Sequence, residues 1–259
     1  MKNFKIIVDE YSSKSTMKKF IYIMLNLFVF CFLIMEIVHR DIKHIFLCIL
    51  TLIMFLIPSI LHRKLRIVFP TILEIMIYIL IFSSLILGEV LGLYVYVKFF
   101  DIIIHLLYGF LMTSIGFSII NISKYNLKLK LRLASKYLVL FCFCFGMTSG
   151  VIWELFEYTI DKVFEQDMQK DAIVMKINSV LLNEKVSNKV VSVDINNFII
   201  NSEDYALKYG GYIDIGLNDT MKDILVNMIG CSFFSIICYT YLINKSKIAK
   251  YFIIIKDIK

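Results

Sequence analysis

Six apolar runs, each long enough to cross a bilayer, constrain this chain more than any other feature. They are approximately Phe20 to Val38, Ile45 to Leu61, Thr71 to Leu93, Ile102 to Ile120, Val139 to Tyr158 and Ile224 to Ile243. A spanning helix needs roughly 17–25 mostly apolar residues. Inside lipid every backbone amide must find its partner within the protein, so such runs become helices. The chain has 259 residues, 59% of them hydrophobic, and only two prolines and ten glycines, too little turn material for an all-β protein. Mean hydropathy is +0.77, well beyond an ordinary soluble domain. The expectation is an all-α polytopic membrane helix bundle of six spans, a single membrane domain over residues 1–259, with an external insertion over residues 162–218.

Charge sets the expected orientation. Segments that six crossings place on the N-terminal side carry eighteen Lys and Arg, against three (Arg40, Lys43, Lys98) in the two short opposite loops. Lysine and arginine accumulate on the cytoplasmic side, so both termini are expected in the cytoplasm of a bacterial cell, with the chain in its cytoplasmic membrane. No A-x-A-like site follows the first run, which is read as a retained anchor. The net charge of +7 sits in short clusters between apolar runs, a pattern of membrane orientation and not of a nucleic-acid partner. The partner expected is the lipid bilayer. All six cysteines lie in apolar segments, so no disulfide framework is implied. Cys142 and Cys144, two apart, point to different sides of a helix.

Ionisable groups in three spans carry the candidate chemistry. FFDIIIHLLYGF puts Asp101 and His105 on one helical face. GVIWELFEYTID offers Glu154, Glu157 and Asp161, and GLNDTMKDILVNMIG aligns Asp219, Asp223 and Asn227 at intervals of four. The alternating direction of the spans sends all three sets to the external end. Gly109 and Gly116, Gly146 and Gly150, and Gly230 continue the same stripes deeper, and small residues let helices approach closely in lipid. Carboxylates buried there must be protonated, hydrated or neutralised by a cation. An oxygen-rich set with a single histidine suits magnesium, manganese or calcium before zinc. The expected ligands are Asp101, His105, Glu154, Glu157, Asp219 and Asp223, with His105, Glu154 and Glu157 as catalytic proton carriers. Against this, Asp101, Asp161 and Asp219 lie near the interface, where Lys98 with Asp101 and Lys222 with Asp223 would be ordinary surface pairs. Glu36, Glu74 and Glu89 are read as solvated or satisfied by neighbours, and His39, His44 and His62 as interfacial. Within the insertion, KVFEQDMQK is read as extending the fifth helix and VVSVDINNFII as a strand or hairpin.

FDIIIHLLYGF, WELFEYTID, DMQ and GLNDTMKDILVNMIG resemble, in order, the signature of the uncharacterised bacterial YjdF-like inner-membrane proteins, with a D-x-x-x-H helix, an E-x-x-E helix and a D-T-x-x-D helix. The likeness covers spans four to six and falls on Asp101, His105, Glu154, Glu157, Asp219, Thr220 and Asp223. It implies the same helical membrane fold and lends no activity. The chain departs from it between MQ and D-T-x-x-D, where residues 171–215 intervene. Three functions compete: a divalent-cation site in a hydrolase or transferase acting on a lipid or lipid-linked substrate, a proton- or cation-coupled transporter, and a non-catalytic accessory protein.

Overall fold

Apolar side chains facing every direction around a helix are stable only where lipid replaces water, and the first crossing shows that pattern. In α1 (Thr16–His39), Phe20, Ile23, Leu27 and Phe30 are exposed, while Val29 and Glu36 are buried. The computed structural model describes residues 16–97, 99–126, 134–165, 167–180, 182–183, 190–201, 203–214, 216–244 and 246–256. Among them, six helical stretches are long and apolar enough to cross a membrane: Thr16–His39, Ile42–Leu65, Thr71–Val90, Phe100–Ser123, Ser135–Phe164 and Leu217–Asn244. The all-α polytopic bundle is therefore present. Much of the basic N-terminal tail, the basic segment 127–133 and the Lys98 to Asp101 pairing lie outside the described residues.

Two crossings are interrupted. The second consists of α2 (Ile42–Phe55) and α3 (Ile57–Leu65), joined at Leu56 just ahead of Pro58. Proline has no amide to donate and is tolerated in a first helical turn, so a new helix starts there. The third begins as α4 (Thr71–Phe82) and continues as a π-helical segment, Ser83–Val90. The apolar run was expected to reach Leu93, but Gly92 takes a left-handed φ of 70° and starts the short α5 (Leu93–Tyr96) instead. The Tyr94 ring folds back onto Gly88, where any side chain would collide with it, and the Tyr94 hydroxyl donates to Ser84 Oγ at 3.1 Å.

The remaining crossings are α6 (Phe100–Asn126), α7 (Ser135–Phe164) and, after the insertion, α9 (Leu217–Asn244). The chain forms two compact units, Met1–Val151 with Leu225–Lys259, and Ile152–Ile224. In the first, one buried cluster gathers Val29, Cys48, Phe55, Tyr78 and Ile86 from the first three crossings. Another joins Phe117, Leu138, Cys142, Phe234 and Cys238 to Ala249 and Ile253 of the C-terminal segment. That segment is tied back by β8 (Ile255–Lys256), antiparallel to β1 (Ile67–Val68). None of the six cysteines is in a disulfide; Cys142 is buried and Cys144 exposed.

The second unit is a set of short hairpins. β2 (Ala172–Val174) will pair with the last strand of the unit, and β3 (Lys176–Ser179) pairs antiparallel with β4 (Val191–Asp194). β5 (Ile199–Ile200) pairs with β6 (Glu203–Asp204), α8 (Tyr205–Tyr209) follows, and β7 (Tyr212–Asp214) closes onto β2. The strands expected in VVSVDINNFII are thus present. The expected extension of the fifth helix is not complete: α7 stops at Phe164 and Glu165 turns to a φ of 52°. The cause is Asp161, whose carboxylate accepts the Met168 and Gln169 amides at 2.6 and 2.8 Å and folds the chain back.

Candidate functional site

The first unit brings three crossings into close contact at glycines. A Cβ on Gly109 of α6 would strike the Asn227 carbonyl of α9, and one on Gly150 of α7 would strike the Asn227 side-chain amide. Gly146 faces Thr113 and Cys231 in the same way, and Gly230 faces the Leu106 carbonyl. These are the small-residue stripes read from the sequence, and their role is to let backbones meet. Asn227 is 1% exposed, and its Nδ2 donates to the Gly146 carbonyl at 3.4 Å. Its Oδ1 is buried with no hydrogen-bond partner among the described residues. A lone buried acceptor costs about 1–3 kcal/mol.

One turn into α6 from its start lies the ionisable pair. His105 is 6% exposed, and its Nε2 stands 3.4 Å from Asp101 Oδ1. The spacing of four residues stacks them on one face, as the sequence indicated. Their separation exceeds the roughly 2.7–2.9 Å of a charge-assisted hydrogen bond.

The second unit holds the other expected site residues. Glu154 and Asp223 are buried. Glu157 accepts the Trp153 indole N–H at 3.0 Å, which engages Trp153 with a carboxylate of its own helix. Asp219 accepts the Lys170 amide at 2.8 Å and lies 3.2 Å from Lys222 Nζ, which is also 3.7 Å from Asp223 Oδ1. Gln169 donates to the Thr220 hydroxyl. Asp161 and Asp219 thereby hold the segment after α7 to the start of α9 through backbone amides. Lys222, expected to pair with Asp223, reaches Asp219 as well.

Asp101 and His105 of the first unit belong to an acidic and histidine group that could hold a metal ion. An aspartate oxygen and an imidazole nitrogen are donors that suit a divalent cation.

Sequence reasoning missed a second group. Glu36, Asp41 and His44 converge where α1 gives way to α2, within the first unit. The signal was the string EIVHRDIKH, but helical periodicity does not carry across a turn, so no face could be assigned. Asp41 caps α2 by accepting the His44 amide at 3.0 Å, and chiefly this bond holds its carboxyl below the usual range. Glu89, by contrast, has the expected neighbour, Lys43 Nζ at 3.6 Å.

No curated protein and no solved structure matches the chain. A family described as a predicted membrane protein, DUF2238, matches residues 20–244, from within the first crossing to the end of the sixth. The length of that match, over the same six crossings that carry the ionisable groups, shows that the chain belongs to the DUF2238 family of predicted membrane proteins.

Proposed function

We propose that this protein is a divalent-cation-dependent membrane enzyme, a hydrolase or transferase acting on a lipid or lipid-linked substrate, with Asp101 and His105 at the heart of its site. The observation that carries the reading is the pairing of buried His105 with half-buried Asp101, 3.4 Å apart on one face of a membrane helix. Ionisable groups are expensive in a membrane helix and are retained where they handle ions, protons or substrate. Asp223 precedes Asn227 by one turn of the unbroken α9, and Glu154 follows Gly150 by about one turn of the unbroken α7. Helical periodicity therefore directs both carboxylates along the stripes that Asn227, Gly109 and Gly150 bring into contact.

A bound magnesium, manganese or calcium ion would polarise a phosphoryl or carbonyl oxygen and lower the pKa of water. Asp101 and Asp223 would supply its negative ligands, His105 would hold or pass on a proton, and Glu154 with Glu157 would serve as base and acid. Asp219, bound to the Lys170 amide, would position α9. The site would face outward from a bacterial cytoplasmic membrane with both termini inside, where lipid headgroups meet the bilayer edge. The test is to incubate the purified protein with extracted bacterial lipids and manganese, and to follow lipid products by mass spectrometry. A product formed with manganese, lost with chelator and lost in His105→Gln is expected; unchanged lipids with magnesium, manganese and calcium alike would refute the enzyme reading.

A further inference from the structure

The turn between α1 and α2 is short and tightly held. Arg40 adopts a left-handed φ of 62°, and the Asp41 amide donates to the Glu36 carbonyl at 3.2 Å. This geometry returns the chain so that Asp41 and His44, at the start of α2, face Glu36, in the last turn of α1. His44 Nδ1 lies 3.4 Å from Glu36 Oε2 and 3.4 Å from Asp41 Oδ2. The facing atoms of all three residues fall within 4.8 Å of one another.

Glu36 is 8% exposed, and its carboxylate lies 3.4 Å from that one nitrogen. A buried carboxylate aimed at a histidine it does not closely hydrogen-bond needs another source of positive charge. Lys43, the adjacent cation, reaches towards Glu89 instead. A proton on Nδ1 can serve one carboxylate, at roughly 2.7–2.9 Å, but cannot serve two at once. Ligands of a tetrahedral ion bonded at about 2.0–2.1 Å stand about 3.4 Å apart, the separation that both contacts show. Two carboxylates balance a divalent charge, and the imidazole favours zinc-class ions over magnesium and calcium.

We propose that Glu36, Asp41 and His44 bind a zinc-class divalent ion, clamping the first two membrane helices together at their connecting turn. This site is separate from Asp101 and His105 and does not depend on the function proposed for them. With three protein ligands the ion keeps a fourth position for water.

The test uses metal-stripped, full-length protein carrying His105→Gln and Asp223→Asn, so that the other acidic group does not compete. Titration with Co2+ is followed by visible absorption, and titration with Zn2+ by the rise in unfolding temperature. Expected are the intense d–d bands of a tetrahedral cobalt site and a zinc-dependent stabilisation, with at least tenfold weaker binding in Glu36→Gln and in His44→Ala. Either an absence of cobalt bands and zinc stabilisation in the parent, or binding unchanged in both variants, overturns the proposal. The parent titration decides even where a variant fails to fold.

Discussion

The Asn227 side chain occupies the space that a Cβ on Gly150 would need. Replacing Gly150 with alanine should therefore push α7 from α9 or force the amide out of place, at a cost of about 1–3 kcal/mol. Asn227→Ala removes the obstacle, so the double variant should be more stable than the sum of the single losses predicts. Unfolding in detergent micelles measures both; strict additivity would mean that the two residues do not compete for this space.

Glu74 of α4 is buried and accepts both Lys18 Nζ at 2.7 Å and the Tyr78 hydroxyl at 2.8 Å. Lys18→Met leaves that carboxylate with less compensation and should cost on the order of 3 kcal/mol. Pairing it with Glu74→Leu should recover most of the loss, because an apolar pair suits the site better than half of an ion pair. A double variant less stable than Lys18→Met alone would contradict this.

Asp161 holds the segment after α7 through two backbone amides. Asp161→Ala should leave both without their acceptor, at a cost of about 1–3 kcal/mol to the second unit. Hydrogen exchange at Met168 and Gln169 should accelerate, whereas exchange within the glycine contacts of α6 should not change. Equal protection of both amides in wild type and variant would remove Asp161 from this role.

The crossings were legible because lipid imposes one rule on every residue facing it, and runs such as Phe20 to Val38 satisfy that rule without help from distant parts of the chain. Asp101 with His105, and Asn227 with the glycines, were legible because spacings of four residues map directly onto one helical face. What escaped had no periodic trace. The π-helical segment at Ser83–Val90 inserts an extra residue per turn among apolar side chains that look alike, and only Gly88 beneath Tyr94 marks it. The stop at Phe164 depends on Asp161 capturing amides seven and eight residues ahead. Glu36 and His44 meet only because Arg40 takes a backbone conformation rare for its residue type.

The divalent cation proposed at Asp101 and His105, with Asp223 as the further ligand expected from the sequence, is tested most directly by equilibrium dialysis. Protein carrying His44→Ala is dialysed against manganese, and the retained metal is measured by elemental analysis. One manganese per chain is predicted, with its loss when His105→Gln and Asp223→Asn are added. A chain that retains no manganese, or retains as much after those two substitutions, would contradict the proposed site.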